Sequence, residues 1–135
     1  VLLAAVALET YQGVRHPPRE EQLAPVLDAV RAELRPGDRV YVYYGAVPAF
    51  LHYTRDNPFP PGVVTLGTEA RANRTEYRDQ LAAFAGHPRV WLVFSHRHQH
   101  EETVITAYAE GLGRGEKVAA AAGAAAYRFD LSARP

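Results

Sequence analysis

Arg89-Val90-Trp91-Leu92-Val93-Phe94 is the stretch that decides the fold. After its opening arginine every residue is apolar, with no polar residue on either side of the alternation. A strand with one wet face would alternate apolar with polar side chains, so this one is buried on both faces. It belongs at the centre of a sheet covered by helices above and below.

Working outward, Arg39-Val40-Tyr41-Val42-Tyr43-Tyr44 is a second strand, β-branched and aromatic. The turn residues Pro36-Gly37-Asp38 lead into it and Gly45 stops it. Between the two strands, Val47 to Tyr53 reads as a short helix with Pro48 in its first turn. Asn57 to Gly62 is a proline-rich loop, and Val63-Val64-Thr65-Leu66 a short strand. Thr75 is placed to cap a helix with the face Tyr77, Leu81 and Phe84, ended by Gly86. Before the first strand, Leu23, Val26, Leu27, Val30 and Leu34 recur at helical spacing. Pro25 confines the regular helix to about Leu23 onward. After Phe94, Glu101 to Leu112 forms a helix with Val104, Ile105, Tyr108 and Leu112 on its face, closed by Gly113 and Gly115.

The C-terminal stretch is the least decided. Its alanines favour helix, yet Tyr127, Phe129 and Leu131 alternate with Arg128 and Asp130. Tyr127 to Leu131 is read as a strand, and Val118 to Ala122 as a strand in preference to a helix. Strands alternating with helices imply parallel pairing through right-handed crossovers. The expected fold is α/β: a small doubly wound, Rossmann-like or flavodoxin-like, mostly parallel sheet of four or five strands flanked by helices. If Gly123 marks a tight turn, the last strand is an antiparallel edge.

Composition narrows the function classes. With 47% hydrophobic and 22% charged residues the chain has the balance of an ordinary globular protein. A formal net charge of +0 provides no basic field, which argues against nucleic acid as a partner. Without cysteine there is neither a disulfide framework nor a thiolate metal site. The chain starts at Val1 and contains no Met, which reads as a piece of a longer protein. Val1 to Leu8 is continuously apolar, too short to span a bilayer and without a signal-peptide pattern. It reads either as a buried strand or as the end of a membrane helix. Residues 1–18 are taken as that segment plus a linker, and 19–135 as one α/β domain.

In an open α/β sheet, ligands bind beyond the carboxyl ends of the strands, where successive connections leave to opposite faces. Two loops qualify, the one from Tyr44 to Pro48 and the one from Ser95 to Glu102, and the strands they follow are expected to be neighbours. Candidate ligand-binding residues are therefore Tyr44, Gly45, Tyr53, Ser95, His96, His98 and Glu101. In an extended segment His96, His98 and His100 share one side and have metal-ligand spacing, with Glu101 or Glu102 to complete a shell. The run sits at a strand-to-helix junction, however. It reads first as a polar loop whose glutamates suit the helix dipole, then as an anion site at a helix N-terminus, and last as a metal site. No catalytic residue, metal or cofactor is assigned. Ser95 lacks a nucleophile-elbow context. Gly111-Leu112-Gly113-Arg114-Gly115 ends a helix instead of opening one, so it is no dinucleotide fingerprint. Asp38 lies at the entrance of a strand and is read as a turn former.

The phrases Glu20…Pro25-Val26-Leu27, Arg35 to Tyr44, Pro48-Ala49-Phe50-Leu51-His52-Tyr53 and Arg89 to His96, in that order, resemble the C-terminal soluble region of polytopic membrane glycosyltransferases. These are the protein mannosyltransferase and aminoarabinose-transferase superfamily, glycosyltransferase family 39-like. The resemblance covers residues 19–131, and each phrase is of modest specificity by itself. It implies a parent protein anchored by N-terminal membrane helices and using a polyprenyl-phosphate-linked sugar. It also implies an extracytoplasmic, periplasmic location for this region. The family's acidic catalytic residues lie between early membrane helices, so none carries over to this chain. The function expected is a non-catalytic accessory domain. The alternatives are a soluble small-ligand or nucleotide-binding α/β module, or a small metal-dependent enzyme or hydrolase centred on His96, His98 and Glu101.

Overall fold

The computed structural model describes residues 22–97 and 100–132. Its elements follow in the order α1 (Leu23–Glu33), β1 (Arg39–Val42), a 3-10 turn (Tyr44–Ala46), α2 (Val47–Thr54), β2 (Val64–Leu66), α3 (Thr75–Ala82), β3 (Val90–Ser95), α4 (Glu101–Leu112), β4 (Arg114–Ala121) and β5 (Ala124–Asp130). The apolar run Val1 to Leu8 and the linker after it lie outside the described residues, as does His98.

The five strands form one sheet in the order β2-β1-β3-β5-β4. All six residues of β3 are buried, as its sequence requires. Trp91 and Val93 face one layer, where Leu23, Val26, Leu27 and Val30 of α1 and Phe50 of α2 close over them. Val90, Leu92 and Phe94 face the other, under Tyr77 and Leu81 of α3 and Ile105 and Ala109 of α4. Two apolar layers on a central sheet are the arrangement that hides both faces of such a strand.

β1 pairs in parallel with β2 on one side and β3 on the other. The connection from β1 runs through α2 on one face, and the connection from β3 runs through α4 on the opposite face. The carboxyl ends of β1 and β3 thus form the switch point of the sheet.

The expectation of a mostly parallel, doubly wound sheet is overturned in the other half. β5 pairs antiparallel with both β3 and β4, so two of the four strand pairings are antiparallel. The last strand is not an edge; it lies between β3 and β4, and β4 is the edge. Since β5 opposes both neighbours, β4 points the same way as β3. The crossover through α4 therefore keeps the expected direction but leaves a gap one strand wide, which β5 fills on its return. A tight turn at Gly123, with φ of 71°, makes that return local. The alanines hid the first half of β5. Ala124, Ala125 and Ala126 are all buried in the sheet, yet a run of identical small side chains shows no period.

Smaller differences follow from local geometry. β1 ends at Val42, and the 3-10 turn after it cancels the alternation that would send Tyr44 to the face opposite Tyr43. Tyr44 instead packs on the same layer as Tyr41 and Tyr43. Arg74, not Thr75, occupies the cap position of α3, and no side chain caps that helix. β4 starts at Arg114, four residues before Val118, because Arg114 and Gly115 already pair with Asp130 and Phe129.

Candidate functional site at the strand tips

The two loop tips meet on one rim. Tyr43 N–H donates to Val93 O at 2.9 Å, and the chain then turns through Tyr44, Gly45 and Ala46. Gly45 is pressed against the other tip: a Cβ there would sit 2.6 Å from His96 O and 2.7 Å from the Tyr43 ring. Only glycine allows that approach. His96 and His100 hold positive φ angles of 50° and 65°. That backbone region is costly for residues with a Cβ.

Beneath the tips lie buried polar side chains. Glu101, the first residue of α4, is fully buried. One carboxylate oxygen accepts from the Tyr77 hydroxyl at 2.6 Å and the other accepts from the Tyr43 hydroxyl. Tyr77 also accepts a hydrogen bond from Ala70 N–H at 3.1 Å, which ties the loop before α3 into the same network. Burial, and then the bond to Glu101, push the Tyr77 phenol far above its ordinary range. Tyr44 stacks on Tyr77 with ring centroids 6.4 Å apart and lies 4.7 Å from the Tyr43 ring. The Arg71 guanidinium sits 6.0 Å over the Tyr44 ring. Burial raises the Tyr44 phenol as well. Next along α4, Glu102 accepts from Arg97 and from the Tyr127 hydroxyl, which joins α4 to β5.

The predicted site residues are thus distributed. Tyr44, Gly45, Ser95, His96 and Glu101 share the rim region. His98 lies outside the described residues. Tyr53 does not join them: it is 45% exposed toward the far end of α2, edge-on to His52. Ser95 is fully buried, and its hydroxyl has no hydrogen-bond partner among the described residues. Strand alternation turns it toward the α1 layer, away from Glu101. Among the described residues no three His, Asp or Glu side chains gather as a metal site. Glu101 is placed to orient two phenols and the start of α4; with both oxygens engaged and no exposure, it presents nothing to solvent.

No protein-family model, curated protein or solved structure matches this chain.

Two features escaped sequence reading, Tyr77 near the tips and Asp38 at the opposite end of the sheet. Tyr77 was legible only as one member of a helix face, although its hydroxyl needed a buried acceptor. Asp38, read as a turn former, does more. Its carboxylate accepts from Arg89 Nε at 3.0 Å, from Trp91 Nε1 at 2.9 Å and from Arg35 N–H at 3.0 Å. A tryptophan in a strand buried on both faces was the available signal, because its indole N–H must find an acceptor.

Proposed function

We propose that this chain is a non-catalytic accessory domain of a membrane glycosyltransferase-like protein, held on the extracytoplasmic side by that protein's N-terminal helices. The observation that carries this reading is the Asp38 network. Two phrases of the resemblance, Arg35 to Tyr44 and Arg89 to His96, lie on neighbouring parallel strands. One carboxylate, Asp38, bonds to residues of both. A third phrase, Pro48 to Tyr53, forms α2 against the same strands. Phrases that are common singly thus become parts of one interlocked unit, which favours their being inherited together.

No described helix is long and apolar enough to cross a membrane, so attachment falls to residues outside the described set. In this reading the domain lies over the membrane-embedded site and helps receive the polyprenyl-phosphate-linked sugar or its acceptor.

The test is topological. The complete gene product is expressed with a C-terminal alkaline phosphatase or, separately, a C-terminal green fluorescent protein. Phosphatase activity without fluorescence is expected. Fluorescence without phosphatase activity, or a complete product lacking membrane spans, overturns the proposal.

A further inference from the structure

At the end of the sheet away from the tips, where β1, β3 and β4 begin, four arginines line one cleft of about 440 Å³: Arg35, Arg89, Arg114 and Arg128. They come from four separate chain segments, so no local run of charge announces them. Two are held in place. Arg89 donates to Asp38 and, through Nη2, to Glu33 O at 2.6 Å. Arg128 pairs with Glu33 at 2.8 Å and Glu116 at 3.4 Å. Both guanidiniums also lie against the Trp91 ring, at 5.7 and 5.6 Å from its centroid. Arg35 and Arg114 are exposed and form no ion pair with any described residue.

Two carboxylates, Glu116 and Asp130, share the lining with the four guanidiniums. Glu116 is turned to Arg128. Asp130, opposite Arg114 on β5, accepts from the Ser132 hydroxyl at 2.5 Å and from Ser132 N–H at 2.9 Å, and those bonds hold its carboxyl below the usual range, so it keeps its negative charge. Asp38 and Glu33 offset Arg89 and Arg128 from behind. An entering ligand meets Arg35 and Arg114, which carry no ion pair among the described residues, with Arg89 and Arg128 behind them and the Asp130 charge at one side. Guanidinium forks match phosphate oxygens bidentately and keep their charge at every physiological pH. Guanidiniums drawn from several segments can share the three oxygens of a phosphomonoester, one more than a single carboxylate offers. The cleft is also larger than a phosphate ion and falls in the range of small-molecule sites.

We propose that this cleft binds the phosphate group of a phosphomonoester, with Arg35 and Arg114 as its principal ligands. The proposal does not rest on the membrane-protein reading above. The phosphate can belong to a soluble metabolite or to a lipid headgroup, and the experiment separates the two. Calorimetric titration of the described domain at low salt uses glycerol 3-phosphate, with glycerol and citrate as controls. Sedimentation uses phosphatidylcholine vesicles with and without phosphatidic acid. Saturable binding of glycerol 3-phosphate, or sedimentation only with phosphatidic acid, supports the site and identifies the source. Arg35→Gln with Arg114→Gln is expected to weaken binding about tenfold per arginine, and Arg78→Gln on α3 to leave it unchanged. In the wild-type protein the arginine Nε–H resonances of residues 35 and 114 are expected to shift on titration, a readout that does not depend on any variant folding. Neither probe binding, equal affinity in the double variant, or citrate binding as tightly as the phosphomonoester would each overturn it.

Discussion

The two ends of the β1–β3 pair each bury a carboxylate, and they treat it differently. At the base, Asp38 faces a cation, Arg89, together with an indole and a backbone N–H. At the tips, Glu101 faces two phenols and takes no salt bridge among the described residues. The base ties strand entrances together by charge; the tips tie helix starts together by neutral donors. A carboxylate that has lost its water must be compensated in one of these ways. The consequence is that the base carries exposed guanidiniums beside its buried pair, whereas at the tips Glu101 and its two phenols are all buried.

Substitutions test how far the contrast holds. Asp38→Ala is expected to be the most damaging, at about 3–5 kcal/mol in urea unfolding, because it strands Arg89 and the Trp91 indole together. A loss below about 1 kcal/mol would mean that the base pair is a surface contact and the contrast is false. Glu101→Ala comes next, at about 2–3 kcal/mol, since two phenol hydroxyls lose their acceptor. If it equals or exceeds Asp38→Ala, neutral donors hold a carboxylate as firmly as a cation does. Gly45→Ala is expected to cost about 1–3 kcal/mol by forcing the tips apart. Amide exchange around His96 should accelerate in that variant and remain unchanged around Asp38.

A smaller effect is alkaline. The folded Tyr77 phenol keeps its proton beyond the ordinary value of 10.0, while the unfolded chain releases it there. The unfolded state thus binds fewer protons above that pH, so stability is flat below about pH 10 and falls above it. Tyr41, raised chiefly by burial, adds to the same slope. Thermal midpoints from pH 8 to 11 should show the fall, and Tyr77→Phe should make it shallower; an unchanged slope would remove Tyr77 from the cause. The smallest expected effect on stability is that of Arg35→Gln with Arg114→Gln, within about 0.5 kcal/mol for each exposed site. A larger loss would show that the base arginines serve the fold rather than a ligand.

Much of this architecture was legible because its signals are local. The apolar run of β3, the helical spacing of α1 and the face of α4 each declare themselves within a dozen residues. β5 declared itself only in its second half, through Tyr127 and Phe129; its alanine half shows no alternation, and its place between β3 and β4 is marked by nothing local. The candidate site was half legible. The rule about strand ends brought Tyr44, Gly45 and His96 together correctly, since neighbouring parallel strands must carry their tips to one rim. It left open what fills that rim, because Tyr77 and Glu101 are 24 residues apart, and nothing in either neighbourhood names the other.

The order of elements, the central burial of β3 and the meeting of the Gly45 and Ser95 loops were settled by the amino-acid sequence itself. These depend on period and turn chemistry, which act over a few residues. The insertion of β5 between β3 and β4, the bonding of Glu101 to Tyr43 and Tyr77 and the gathering of four arginines at the opposite end were decided only by tertiary structure. Each depends on partners far apart in the chain, and such partners become neighbours only when the layers pack.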